Sequence, residues 1–252
     1  MENVKNKSYM PMKPRRDNMQ FANINWINNQ PYSIDFDDIY FSTEDGLQET
    51  EYVFITHNQL KQRFAQPNLH HFTIIETGFG TGLNFMAVCA HWLALSPPHA
   101  KLHYVSIEKY PLKLADLQRA MQLLPQFSVI SSELISKYAE LESGLNQFNL
   151  AASRIQLDLW IDDIVMQLAQ ISDIADAWIL DGFAPAKNAD MWSGEVCGHI
   201  ARLSRINTTF ATFTSAGTVR RALQMVGFDV KKQAGFGKKR EMLSGIFTWK
   251  SA

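Results

Sequence analysis

From residue 71 onward, short apolar runs alternate with longer amphipathic stretches. His71 to Glu76 reads as a strand, and Leu83 to Leu95 as a helix ended by Ser96-Pro97-Pro98. Leu102 to Ile107 is the next strand, and Pro111 to Leu124 a helix with Pro111 placed to open it. Pro125 to Ser153 exceeds an ordinary connection and reads as a partly helical insertion. Arg154 to Trp160 alternates Ile155, Leu157 and Leu159 as a strand does, and Ile164 to Gln170 is a short helix. Ala177 to Leu180 is a strand ending at Asp181, Met191 to Ile206 a helix, and Thr208 to Phe213 a strand. Thr218 to Val226 is a helix stopped by Gly227. Phe228 to Gln233 and Leu243 to Trp249 are the last strands, joined by Ala234 to Met242 as an antiparallel hairpin. Strands alternating with helices imply an α/β fold with a mostly parallel sheet covered on both faces. Seven strands are expected, the C-terminal hairpin closing the sheet.

The segment before this rhythm, residues 21–70, reads as an extension packed on the core. It holds a small strand or hairpin, then a helix from Glu49 to Arg63, and it is dense in acids and aromatics around Asp37, Asp38 and Tyr40. Residues 1–20 are polar and read as a disordered leader; residues 71–252 form the main domain. No repeat or linker marks a second large domain.

Composition narrows the class. Hydrophobic residues make up 46% of the chain and charged ones 19%, enough for a sizeable core. No apolar run approaches the length of a membrane span, and the N-terminus lacks the apolar core of a secretory signal. Cys89 and Cys197 stand in apolar helical contexts and read as buried thiols of a cytoplasmic protein. No Cys/His spacing suggests zinc, and no metal is expected. The net charge of −1 hides an asymmetry: from Lys187 on there are 11 basic and 4 acidic residues. Such a third can be a phosphate-facing surface or simply a solvated face.

The richest segment is Ile74-Ile75-Glu76-Thr77-Gly78-Phe79-Gly80-Thr81-Gly82-Leu83-Asn84-Phe85. A glycine turn between strand and helix admits a ligand where a Cβ would clash, at the sheet edge where α/β folds bind nucleotides. The spacing is Gly78-x-Gly80-x-Gly82, not the Gly-x-Gly-x-x-Gly that seats a pyrophosphate. Glu76 would repel a pyrophosphate but would welcome the ammonium of S-adenosylmethionine. A methyltransferase using that cofactor is the expectation; an ordinary glycine-rich turn is the alternative.

Other strand ends carry suitable groups. Glu108 can accept from ribose hydroxyls, or be a surface acid beside Lys109. Asp162 and Asp163 can accept from the adenine amino group, and either can cap the following helix. Asp181-Gly182-Phe183-Ala184-Pro185 suits amine methylation. Asp181 can accept an amine N–H and take or relay its proton, while the Phe183 ring shapes the pocket and attracts a sulfonium. Asp181 capping a turn is the plainer reading. Arg220 and Arg221 follow the fifth strand, and Lys238, Lys239 and Arg240 occupy the hairpin loop, all suited to a phosphate-bearing substrate.

These motifs, together with Asp37-Asp38-Ile39-Tyr40-Phe41-Ser42, Asp181 through Asn188, Thr212 through Gly217, and Gly235-Phe236-Gly237 through Met242, resemble the methyltransferase domain of the bifunctional tRNA 5-methylaminomethyl-2-thiouridine biosynthesis family, MnmC. They run in the family's order over about Phe21 to Phe247. The resemblance implies a Rossmann-like class I fold with S-adenosylmethionine as cofactor. It also implies methylation of the aminomethyl group on the wobble uridine of tRNA. Taken with the residue readings above, cofactor binding falls to Glu76, Gly78, Gly80, Gly82, Asn84, Glu108, Asp162, Asp163 and Asp181, and catalysis to Asp181 and Phe183. Tyr40, Lys187, Arg220, Arg221, Lys238, Lys239 and Arg240 become substrate or RNA contacts. The family often adds an FAD-dependent domain, linked or separate; no flavin chemistry is expected of these residues. Two departures stand out. Asp162 replaces a small residue, which favours Asp163 as the adenine partner, and Ser204 to Thr209 lacks the Pro-Gly-Gly turn usual before the fifth strand. The competing functions are a small-molecule amine N-methyltransferase and a non-catalytic tRNA-binding module.

Overall fold

The computed structural model describes residues 19–249, so the expectation for Met1 to Asn18 lies outside the described residues. Strands are β1 Ile24–Ile27, β2 Gln30–Ser33, β3 Asp38–Ile39, β4 His71–Glu76, β5 Lys101–Glu108, β6 Gly144–Leu150, β7 Ile155–Ile161, β8 Ala175–Ile179, β9 Ser204–Thr212, β10 Phe228–Ala234 and β11 Glu241–Phe247. Helices are α1 Gly46–Thr50, α2 Leu60–Phe64, α3 Leu83–Leu95, α4 Leu114–Gln122, α5 Ser128–Tyr138, α6 Ile164–Gln170, α7 Gly194–Arg202 and α8 Gly217–Met225.

The main sheet runs β10-β11-β9-β8-β4-β5-β7-β6. Its centre is parallel, whereas β11 and β6 run against their neighbours. The expected hairpin is β10–β11, paired from Phe228↔Phe247 to Ala234↔Glu241. There are eight strands in this sheet rather than seven. The additional one is β6, inside the segment expected to be a partly helical insertion. Asn146, Phe148 and Leu150 face inward while Leu145, Gln147 and Asn149 are exposed. A polar residue at an inward position obscures that alternation. Asn146 is accommodated because its side chain accepts from Glu142 N–H at 2.9 Å and donates to Glu142 O at 2.8 Å.

Alternation along the strands divides the core. Ile74, Leu102 and Tyr104 join α3, α4 and α5 on one face; Ile75, Val105 and Ile107 join α6, α7 and α8 on the other. The central strands therefore bury side chains on both faces. Helix α3 is buried from Leu83 through Cys89 because the extension covers its outer side. Both cysteines are free and buried, as expected. No helix among the described residues is long and apolar enough to cross a membrane.

The extension begins with a three-stranded antiparallel sheet, β1-β2-β3. The single helix expected from Glu49 to Arg63 is broken: α1 passes into a π-helical stretch, Glu51–Thr56, and Gln59 adopts a left-handed conformation before α2. Contacts to the core account for the break. Asn58 donates to Trp178 O at 3.1 Å, and Arg63 to Thr209 Oγ1 at 2.8 Å and Asp176 O at 3.0 Å. Two boundaries also differ. Helix α4 starts at Leu114, beyond Pro111. Helix α7 ends at Arg202, and Ser204–Asn207 form the bulged start of β9, with Asn207 at φ +73° in the segment that lacks a Pro-Gly-Gly turn.

Candidate active site

Strand β4 has β5 on one side and β8 on the other, so the loops at its carboxyl end diverge and leave a crevice. A cavity of about 700 Å³ opens there. It is lined by the β4–α3 turn, the ends of β5 and β7, the loop after β8, the hairpin loop, and the extension from Phe36 to Phe54.

The glycine turn is built for close approach. A Cβ on Gly78 would stand 3.2 Å from the Asp181 carbonyl oxygen, which also accepts the Thr77 hydroxyl at 2.7 Å. Gly80, at φ +52°, donates its N–H to Glu108 Oε2 at 2.8 Å, and Tyr110 N–H donates to Oε1 at 2.9 Å. Burial nonetheless raises the Glu108 carboxyl above its ordinary value, against the pull of those amides.

Behind the turn lies a buried polar network. Asn84 Nδ2 donates to Glu76 Oε1 at 3.0 Å and to Asp181 Oδ2 at 2.7 Å. Ser106 donates to Glu76 Oε2 at 2.7 Å, Gly182 N–H to Asp181 Oδ1 at 2.8 Å, and Thr50 to Asn84 Oδ1 at 2.8 Å. Burial pushes the Glu76 carboxyl up to about 8; Ser106 and Asn84 oppose that, and the charge of Asp181 adds to it. Burial likewise raises Asp181, against the donors Gly182 and Asn84.

Glu76 is fully buried and does not line the cavity; its oxygens accept from Asn84 and Ser106, so its carboxyl stands directly behind the lining. Gly82 is also outside the lining; at φ +76° it starts α3 against Phe79 and Met121. Gly78, Gly80, Asn84, Glu108, Asp162, Asp163 and Asp181 do line it. Of the two acids after β7, Asp163 caps α6 by accepting Val165 N–H at 3.0 Å and pairs with Lys109 at 3.0 Å. Burial opposes these partners, yet they hold its carboxyl below the ordinary value. Asp162 is exposed and is the less committed acceptor.

The aromatic wall comes from two segments far apart in sequence. Phe183 stacks on Phe36 at 4.4 Å between centroids and meets the edge of Tyr40 at 5.3 Å. Burial, followed by nearby Glu108 and Asp35, raises the Tyr40 phenol, which stays neutral. Lys187 and Lys239 line the cavity, whereas Arg220, Arg221, Lys238 and Arg240 do not. Phe36, Glu49, Thr50 and Asp190 reach the lining unforeseen, and only the density of acids and aromatics in the extension signalled the first two.

Seven carboxyl groups and three lysines line the cavity. Each lysine pairs with one of those acids: Lys109 with Asp163, Lys187 with Asp38, and Lys239 with Glu49. Glu108, Asp162, Asp181 and Asp190 form no salt bridge among the described residues. The remaining charge is acidic and fits a cationic nucleoside ligand. Phe79, Leu83, Ile107 and Ile164 supply apolar surface beside it. No group of His, Cys, Asp and Glu side chains among the described residues is placed to hold a metal.

A glycine turn without pyrophosphate spacing, an acid closing β5 and an acidic cavity at the switch point together define a Rossmann-like, class I S-adenosylmethionine-dependent methyltransferase. Comparisons with known proteins agree. Residues 125–248 match a family described as S-adenosyl-L-methionine-dependent methyltransferase. The tRNA 5-methylaminomethyl-2-thiouridine biosynthesis bifunctional protein MnmC of Methylobacillus flagellatus is 48% identical over 227 residues, covering 90% of this chain and 35% of that protein. Its counterpart from Pseudomonas entomophila is 47% identical over 236 residues, covering 93% and 36%. The crystal structure of MNMC2 from Aquifex aeolicus superposes with a TM-score of 0.63 at 20% identity, over 90% of this chain and 71% of that one, a likeness of fold. Over most of its own length the chain is thus similar to these bifunctional proteins, and its C-terminal half matches the S-adenosylmethionine-dependent methyltransferase family model. It spans about a third of the length of the curated relatives it matches.

Proposed function

We propose that the chain methylates the aminomethyl nitrogen on the wobble uridine of tRNA, giving 5-methylaminomethyluridine, often with a 2-thio group. The observation that carries this reading is the placement of Asp181 in the cavity, beside the Phe183–Tyr40 wall and among carboxyl groups left without cations. The names of the bifunctional relatives point to the same modification.

Bound S-adenosylmethionine supplies an electrophilic methyl on a sulfonium. Gly78 and Gly80 give it access to backbone, Glu108 offers acceptors for ribose hydroxyls, and Asp162 or Asp163 one for the adenine amino group. An aminomethyl group arrives mostly as an ammonium and reacts only as the free amine. Asp181 accepts an N–H from that nitrogen, turns its lone pair toward the methyl, and takes or relays the proton. The raised affinity of this carboxyl for protons makes it the stronger acceptor. Phe183 shapes the approach and presents its ring to positive charge. Positioning then accounts for most of the rate, since the displacement is direct. Tyr40 and Lys187 meet the nucleotide at the mouth; Arg220, Arg221, Lys238 and Arg240 meet phosphates outside it. An FAD-dependent oxidoreductase, linked or separate, would generate the aminomethyl group, and a tRNA substrate sets the reaction in the cytoplasm.

The test is incubation of the chain with methyl-labelled S-adenosylmethionine and tRNA bearing 5-aminomethyluridine, followed by nucleoside analysis. Label in 5-methylaminomethyluridine is expected, with Asp181→Ala retaining cofactor binding and losing turnover. Equal labelling of the free nucleoside would favour a small-molecule amine methyltransferase. Salt-sensitive RNA binding without methyl transfer would leave only a binding module.

A further inference from the structure

We propose that Thr50, supplied by the extension rather than by the nucleotide-binding core, is a positioning residue: its hydroxyl fixes the amide of Asn84 that spans Glu76 and Asp181. The inference rests on the methyltransferase reading of the cavity.

The argument starts from donors and acceptors. Asn84 has one acceptor and two N–H donors on its side chain. Its Nδ2 faces two carboxyl groups, Glu76 Oε1 at 3.0 Å and Asp181 Oδ2 at 2.7 Å. A side-chain amide turned by half a rotation would set its oxygen against both, so the network itself decides the orientation. The Asn84 oxygen then points away from them and needs a donor. Thr50, the last residue of α1 and 3% exposed, provides it at 2.8 Å. Without that hydroxyl the oxygen is buried and unsatisfied, and the amide loses the contact that holds it squarely in the bridge.

The consequence falls on Asp181. It faces Asn84 from α3, the Gly182 N–H of its own loop, Glu76 from β4 with the Tyr104 phenol of β5 behind it, Glu49 from α1 and Lys239 from the hairpin loop. Only Asn84, Gly182 and Lys239 favour its ionised form. Losing Asn84 leaves the carboxylate harder to form, so the acid limb of turnover moves to higher pH. An element outside the core thereby sets the working state of the acceptor inside it.

The test compares Thr50→Val, which keeps the shape and removes the hydroxyl, with Thr50→Ser, which restores it. Carboxyl-13C titration of Asp181, assigned with Asp181→Asn, needs no methyl acceptor. We expect its midpoint to rise by about one pH unit in Thr50→Val and to return in Thr50→Ser. With the acceptor, kcat should fall roughly three- to tenfold in Thr50→Val, KM should hold, and Thr50→Ser should recover. An unchanged titration in Thr50→Val overturns the proposal, as does equal impairment of both variants. A shifted titration in a chain that methylates no tRNA would instead count against the proposed substrate and leave the role of Thr50 intact.

Discussion

Glu108 and Gly80 are tied together across two strand ends: the carboxylate that closes β5 accepts, at 2.8 Å, the N–H of the glycine turn that follows β4. Its other oxygen accepts Tyr110 N–H at 2.9 Å. One side chain thus sets the shape of the cofactor turn and still has lone pairs for a ligand, since each carboxylate oxygen can accept more than once.

Glu108→Gln should separate from a simple loss of charge. The new amide nitrogen must face either the Gly80 or the Tyr110 N–H, setting donor against donor. We expect S-adenosylmethionine affinity to fall by about 1.4–2.7 kcal/mol, or roughly 10- to 100-fold, with the fold retained. Calorimetric titration of the cofactor checks this; unaltered affinity would remove Glu108 from the binding site.

Glu76 predicts a pH dependence of stability. Its carboxyl stays protonated in the fold up to about 8, whereas in the unfolded chain it ionises near 4.5. Between those values the native state holds a proton that the unfolded state releases, so this residue's contribution to stability declines as pH rises. Glu76→Gln lacks that proton equilibrium. Its Tm relative to the parent chain should therefore increase from about pH 5 to about pH 8. A difference that is flat or falls over the range would show that Glu76 is ionised in the fold.

Much of this was legible in the chain. The alternation of apolar runs and helices carried the parallel core and the closing hairpin, and the spacing of Gly78, Gly80 and Gly82 placed the turn. What periodicity missed has local causes. Strand β6 hides behind the inward Asn146, and the helix expected from Glu49 breaks where Asn58 and Arg63 bond the core. Residue type alone also could not tell which strand-end acid reaches the cavity. Glu76 ends β4, Asp181 follows β8, and both accept from Asn84, yet only Asp181 lines the cavity. Thr50 carried no signal, because its role depends on a contact 34 residues away.

Gly182 should tolerate no side chain. Its φ of +140° is strained for other residues, and an added Cβ would lie 2.2 Å from Met191 Sδ. Met191 lines the cavity and would be driven aside, while the Gly182 N–H that holds Asp181 would tilt. Gly182→Ala should cost about 1–3 kcal/mol of stability and lower kcat by more than about tenfold. Thermal melts and turnover measured together check it; a variant with parental kcat would mean that this turn does not orient Asp181.

The hairpin loop divides its cations between two tasks. Lys239 lies in the cavity, paired with Glu49 at 2.6 Å and over the Phe213 ring at 4.4 Å, so reversing it would disturb the site itself. Lys238 and Arg240 are exposed and outside the lining. The clean variant is therefore Lys238→Glu combined with Arg240→Glu. If these residues neutralise phosphates, tRNA affinity should fall, and the slope of log affinity against log salt should shrink by roughly one to two. S-adenosylmethionine affinity should stay level, because neither side chain reaches the cofactor cavity. Filter binding across a salt series provides the measurement. An unchanged slope with unchanged affinity would move the RNA surface to another face of the molecule, with Arg220 and Arg221 on α8 next in order.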